Sequence, residues 1–390
     1  TQGHELTYEQ ISQSIDSLIG PETIESEKLL FLKAMSEKGE TASEFSYYVN
    51  GFRNRSIDPG LEAFSPHAID LCGTGGDKAG SFNVSTFVSF LVASGGVDVI
   101  KHGNRSISSK CGSADLIEAI GIPLAPSKHI LVEGLKALNF SFLFAPQYHP
   151  AFKHIAPIRK KLAEQGILTF FNVMGPMINP ARPAHQLVGT YNPAYLERMM
   201  QALENNGLNS ALVAHCVIER DEVKGVDELT ACGENLVTGF GKIKTDGVES
   251  WSAGKWGQNN ACLSELVGGD LDQNLKIMEN ILGRNCSAGL LSTILINAST
   301  AFKLCGKVGS LGEGIELAES LIVDGKTKKW IEKALLNGSD KSPVVVEHYG
   351  DILFRLNLKD EALLQWKKVK SLGEGSNFLD KKIKHEDLFE

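Results

Sequence analysis

Two clusters of small, hydroxyl-bearing and charged residues are able to do chemistry. The first is Gly73-Thr74-Gly75-Gly76-Asp77, where missing side chains let backbone approach a ligand closely. Ser81 follows, then Asn83, Val84, Ser85 and Thr86 at the start of an apolar helical run. Backbone N–H groups, hydroxyls and a helix N-terminus brought together in this way suit phosphate. The second cluster, Lys101-His102-Gly103-Asn104-Arg105-Ser106, adds cations and further donors. Together the two corners call for a ligand with two separate phosphate groups. GTGGD is neither the dinucleotide GxGxxG pattern nor the GK[ST] phosphate loop.

The residue types suggest roles. Asp77 suits sugar hydroxyls or the orientation of donors. Ser85 and Thr86 suit phosphate oxygens or a hydrated Mg²⁺, which keeps waters and takes few protein ligands. Val84 and Phe87 are expected to face the core. Lys101 ends a strand and is expected to point its cation toward the same edge, since an unpaired buried lysine is costly. His102 and Asn104 flank Gly103 and can line an acceptor pocket. Ser106, Ser108, Ser109 and Ser113 supply further hydroxyls, and Cys111 reads as a small buried filler.

Elements that position these residues follow from texture along the 390-residue chain. Residues 1–64 read as all-helical, with a capping box at Thr7 and Gln10, apolar spacing of three to four in Ile11–Leu18, Ser26–Met35 and Ala42–Phe52, and a break at 36–41. From Ala68, short apolar strands (Ala68–Cys72, Val97–Ile100, Ser141–Phe144, Leu168–Phe171, Ser210–His215) alternate with helical stretches. This is the signature of an α/β fold with a mainly parallel central sheet flanked by helices, beside a small all-helical domain. Ligands are expected at the carboxyl edge of that sheet. Met174–Pro180 reads as a hinge, and Gly268–Trp330 as helical with a break near Gly306–Gly314. The expected domains are 1–66 with about 148–165 (helical), 67–147 with 166–336 (α/β), and 337–390. The last is a helical hairpin whose Tyr349, Gly350, Leu353, Ala362 and Trp366 resemble one tetratricopeptide repeat. A single repeat cannot bury its own face, so it is expected to pack on the preceding helices or dock a protein partner.

Composition (42% hydrophobic, 22% charged, net charge −8) is that of a soluble globular protein and argues against extended nucleic-acid binding. The seven scattered cysteines read as reduced thiols in a cytoplasmic protein, without disulfide or zinc spacing. No signal peptide and no membrane span are expected.

The ordered motifs GTGGD, NVST, KHGNRS and GSAD resemble those of the anthranilate phosphoribosyltransferases. The resemblance continues through His149-Pro150-Ala151-Phe152, Arg159, Phe171-Asn172-Val173-Met174-Gly175-Pro176 and Val226-Asp227-Glu228-Leu229, covering about residues 5–336. It implies that Gly73, Gly76, Asp77, Ser81, Asn83, Ser85, Thr86, Lys101, Asn104, Ser109 and Ser113 bind phosphoribosyl diphosphate. Thr74, Gly75, Val84 and Gly103 stand within the same binding segments. Mg²⁺ would sit on Ser85, Asp227 and Glu228. Gly73, His102, Asn104, Phe152 and Arg159 would line the anthranilate site, with Lys101, Asp77, His102 and Asn104 as the catalytic set. It further implies a homodimer through the helical part and a role in tryptophan biosynthesis. The chemistry agrees: adjacent carboxylates suit a hard cation, though a solvated acidic turn is the alternative. Arg159 lies seven residues after Phe152, two helical turns on, so both are expected on one side, with Arg159 able to pair bidentately with the anthranilate carboxylate.

The chain departs from the pattern at Ile178, at Cys111 and in the long segment between His215 and Asp227, where Asp221 or Glu222 compete as metal ligands. Rival readings are a pyrimidine nucleoside phosphorylase-like enzyme and a non-catalytic nucleic-acid-binding relative.

Overall fold

The computed structural model describes residues 3–105, 110–220, 223–338, 346–347, 350–351, 353–354, 359–373, 375–376 and 378–388. Eight strands form one sheet: β1 (Ile69–Gly73), β2 (Val99–Gly103), β3 (Phe140–Phe144), β4 (His185–Gly189), β5 (Ser210–Arg220), β6 (Val223–Val226), β7 (Glu234–Phe240) and β8 (Glu249–Trp251). Their order is β3-β2-β1-β4-β5-β7-β8, with β6 on β5. From β3 to β5 all pairs are parallel; β6, β7 and β8 are antiparallel. Parallel neighbours need helical crossovers, which place helices on the sheet faces.

β1, β2 and β4 each end in glycine at the same edge, with Gly73 in register with Gly189. A Cβ on Gly103 would meet Ser113 Oγ at 2.5 Å, and one on Gly73 would meet Asp227 Oδ2 at 2.3 Å. The three glycines therefore let other chain segments close directly over the edge.

One sheet face is covered by α4 (Val84–Ser94), α12 (Ala288–Leu304), α13 (Leu311–Val323) and α14 (Lys326–Gly338). α4 is apolar on nearly all sides and correspondingly central, with Phe87, Val88, Phe90 and Leu91 fully buried. The other face carries α1 (Tyr8–Ile19), α2 (Glu25–Lys38), α3 (Ala42–Asn54), α8 (Ala156–Glu164) and α10 (Leu196–Asn205). Capping boxes start α1 at Thr7 with Gln10 and α3 at Thr41 with Glu44. Ile155, Ile158 and Leu162 share a cluster with Ile11, Ile15, Leu32 and Phe45, and that cluster runs on to Val188 and Val213 of the sheet. Between the strands lie α5 (Ser113–Ala119), α6 (Lys128–Leu138), α7 (Ala145–Tyr148) and α9 (Phe171–Met174). α11 (Leu271–Leu282) precedes α12, and the expected break falls between α12 and α13.

The tail contributes α15 (Lys359–Leu372) and α16 (Leu379–His385). Val346, Leu353, Ala362, Trp366, Val369 and Leu379 belong to the same cluster as α4 and α14. Trp366 donates from Nε1 to Asp351 at 2.8 Å and stacks on Phe354. A Cβ on Gly350 would lie 2.4 Å from its ring. Lys382 pairs with Glu347 and Asp351 at 3.0 and 2.7 Å. Tyr349 lies outside the described residues.

One sequence expectation is corrected, and one strand is added. Leu168–Phe171 is not a strand: Phe170 and Phe171 stack into an aromatic cluster and the chain turns into α9. The missing central strand is β4, whose His185 and Gln186 disguise a segment buried along its whole length. At the end of the Met174–Pro180 corner the Asn179 amide donates to Asp70 and to the Ile100 carbonyl, both at 2.8 Å.

Candidate active site

The GTGGD loop leaves β1 with positive φ at Gly75, Gly76, Lys78 and Gly80. Thr74 N–H donates to the Gly189 carbonyl, and Tyr191 N–H to the Thr74 hydroxyl, both at 3.0 Å, so β4 anchors the loop. Asp77 accepts from Ala79 N–H at 3.1 Å. Ser81 bridges to Val267. Asn83 joins the two corners, its amide donating to the Cys111 carbonyl at 3.3 Å. Ser113 Oγ donates to the Asn104 carbonyl at 3.1 Å. Arg105 is not a free cation, since it pairs with Asp115 and Glu118 of α5. Val84 is buried in the core and its N–H bonds the Phe82 carbonyl, so its side chain offers a ligand nothing. Thr86 is also buried, its hydroxyl without a partner among the described residues. Ser109, with Ser106 and Ser108, lies outside the described residues, as do Asp221 and Glu222.

Behind the cradle lies a buried charge network. Lys101 does not project to the edge: it is 1% exposed, its ammonium donating to the Leu71 carbonyl and reaching Ser85 Oγ at 3.4 Å. Its buried charge is balanced by Asp70 and Glu228. Burial, against the attraction of Lys101, pushes Asp70 up to about 6 and Glu228 up to about 7. Asp70 also accepts from His102 N–H at 3.2 Å, so one carboxylate fixes Lys101, His102 and Asn179.

The long segment after His215 forms a hairpin of β5 and β6 that delivers Asp227 and Glu228 onto the cradle. Glu228 accepts from Ser85 N–H at 3.1 Å in the first turn of α4, and Asp227 accepts from Gly75 N–H at 2.5 Å. Burial and the carboxylates of Asp77 and Glu228 push the Asp227 carboxyl well up. Among the described residues no three acidic, His or Cys side chains stand preassembled as a cage. Two crowded carboxylates and a hydroxyl, all oxygen, nevertheless fit Mg²⁺, which takes one or two carboxylates and completes its shell with phosphate and water.

On the other side of His102 runs a line of rings. His102 and His149 lie 5.1 Å apart, His149 and Phe152 5.6 Å, Phe152 and Phe171 5.8 Å, and the Arg159 guanidinium sits 5.7 Å over Phe171. Phe152 and Arg159 are not on one continuous helix, because a 3₁₀ turn at Pro150–His154 precedes α8; Phe171 brings them together. Arg159 is half-buried and makes no ion pair among the described residues. His102 and His149 are each 5% exposed, with an Nε2 that has no partner among the described residues, and burial depresses both, His149 to about 4.

The Glycosyl transferase family a/b domain model matches residues 65–328. The anthranilate phosphoribosyltransferase of Petrotoga mobilis is 35% identical over 331 residues, 85% of this chain and 92% of that protein. The chain belongs to the anthranilate phosphoribosyltransferase family. The crystal structure of the Thermus thermophilus member superimposes with a TM-score of 0.78 at 32% identity, over 87% of this chain and 98% of that one. The Saccharomyces cerevisiae member in complex with PRPP and Mg shares the fold, with a TM-score of 0.68 at 24% identity over 85% and 92% of the two chains.

Sequence reasoning assigned no role to Asp70, Gly189 or the Phe171 ring. Asp70 could have been found as a lone charge inside a buried parallel strand. His149 had a motif but no function. Its depressed pKa makes a prediction. Between pH 6.5 and about 4 the unfolded chain binds a proton at His149 that the fold refuses, so stability falls as pH drops through that window. In His149→Gln the loss of unfolding free energy between pH 7 and 5 should be smaller by about 2 kcal/mol, read from urea titrations. An unchanged pH dependence would reject a neutral buried His149.

Proposed function

We infer that the chain transfers the phosphoribosyl group of 5-phosphoribosyl 1-diphosphate to anthranilate, releasing diphosphate, as a step of tryptophan biosynthesis. The observation that carries this reading is the meeting at His102 of an anion cradle and a line of rings ending in an arginine that has no ion pair among the described residues. The amine nitrogen of the acceptor bonds the anomeric carbon, the C–O electron pair leaves with diphosphate, and the nitrogen sheds one proton. An aromatic amine needs no strong base before attack, so the residues act by positioning and by stabilising the leaving group. The GTGGD amides, Ser85 and the first turn of α4 face the diphosphate. Asp77 orients the ribosyl hydroxyls. Lys101 acts from behind, as the counter-charge that keeps Ser85 and Glu228 in place. Neutral His102, with Asn104 beside it, borders the point where the substrates meet. Phe152 and Phe171 flank the acceptor ring and Arg159 takes its carboxylate. Ser85, Asp227 and Glu228 would hold Mg²⁺, which neutralises diphosphate charge when bound.

The deciding experiment follows loss of anthranilate fluorescence on mixing with phosphoribosyl diphosphate and Mg²⁺; folded protein without turnover refutes the reading. Arg159→Ala should raise the anthranilate KM about tenfold or more and leave the diphosphate KM unchanged. An effect on the diphosphate KM alone would reject the assigned role. Exposed Tyr8, Ile24 and Leu30 around α1 and α2 support a homodimer through the helical part. Light scattering should then give twice the chain mass, and a monomer at micromolar concentration counts against it.

A further inference from the structure

Two backbone donors of the cradle already hold carboxyl groups of the protein. The turn has positive φ at Gly75 and Gly76, and the Gly75 N–H donates to Asp227 Oδ2 at 2.5 Å. At the second site, in the first turn of α4, Ser85 N–H donates to Glu228 Oε1 at 3.1 Å. These are the donors on which a diphosphate would rest. They are taken by two successive residues of one dipeptide, delivered by the β5–β6 hairpin. Asp227 is seated closely: its carboxylate and carbonyl fill the space over Gly73, and its backbone fills that over Gly189.

We propose that Asp227-Glu228 is an internal stand-in for diphosphate, which holds both backbone anion sites in the empty enzyme and shuts out polyphosphate that arrives without a divalent cation. The inference rests on the reading that this loop takes a diphosphate. An amide N–H is a single donor, so Gly75 and Ser85 cannot serve carboxylate and phosphate together. A metal-free diphosphate must evict two acidic side chains from the amides and then lie beside them with no cation between. A divalent cation reverses that arrangement. The carboxylates gain a partner, leave the amides, and the same two residues that repel the bare anion attract the cation-bound one. The pair thereby sets specificity for the metal complex of the substrate over its free form, in addition to any ligation of the metal.

The test is calorimetric titration of inorganic pyrophosphate into the full chain, with chelator and then with Mg²⁺. Asp227→Asn and Glu228→Gln keep the side-chain shape and remove the acid. Each should bind metal-free pyrophosphate about tenfold tighter than the unsubstituted protein, and should lose most of the strengthening by Mg²⁺. Folded variants that bind metal-free pyrophosphate no tighter, or more weakly, overturn the proposal. Hydrogen exchange provides a second readout. Without ligand the Gly75 amide should exchange at least about tenfold more slowly in the unsubstituted protein than in Asp227→Ala. Equal exchange overturns the proposal even if one variant folds poorly. Turnover is measured separately. Absence of phosphoribosyl transfer with the expected pyrophosphate pattern would reject the assigned reaction and leave the stand-in supported.

Discussion

Gly189→Ala should lose about 3 kcal/mol of stability and lower kcat/KM for phosphoribosyl transfer about a hundredfold or more. A Cβ at this position would stand 1.6 Å from the Asp227 carbonyl oxygen and 2.2 Å from its carbon. These are backbone atoms, so no flexible side chain can swing aside. Strand β4 cannot yield, because it is hydrogen-bonded on both sides, to β1 and to β5. The displacement must fall on the Asp227-Glu228 turn, which carries the carboxylates of the site, and on the Thr74 N–H, which bonds the Gly189 carbonyl. Urea titration and steady-state kinetics check the two effects. A variant with unchanged kcat/KM would show that the turn does not need its seat on β4.

Lys101→Met should cost about 3 kcal/mol at pH 7 and at least about a hundredfold in kcat. Removing the ammonium leaves Asp70, which is fully buried, without its main opposing charge. Asp70 already titrates near 6, above its value in the unfolded chain, and without Lys101 it rises further. The fold then binds a proton that the unfolded chain does not. The penalty is therefore largest above pH 6 and shrinks as acid supplies that proton. Unfolding titrations at pH 8 and pH 5 measure it. A penalty that grows toward pH 5 would contradict the pairing of Lys101 with Asp70. The kinetic loss has a second origin, since Lys101 is the donor behind Ser85 Oγ and the counter-charge of Glu228.

Much of this site is written in local chemistry. The GTGGD and NVST segments announce an anion cradle because a run of glycines before a helix start can present little other than backbone amides. The capping box at Thr7 is local too, complete within four residues, and so is the break between α12 and α13. What the chain alone did not disclose depends on partners far along it. Lys101 looks like an edge cation until Asp70, Leu71 and Glu228 close around it. Phe152 and Arg159 meet only because Phe171, on another helix, fills the space between them. Strand β4 carries His185 and Gln186 in a buried sheet and so lacks the apolar run that marks its neighbours. Gly189 gives no local sign of its purpose, which is to let Asp227 lie flat on the sheet. Residue type and short spacing determine backbone geometry and the chemistry a segment can offer. Burial, and with it the charge state of Lys101, Asp70 and the carboxylate pair, is decided only when distant segments exclude water from one another.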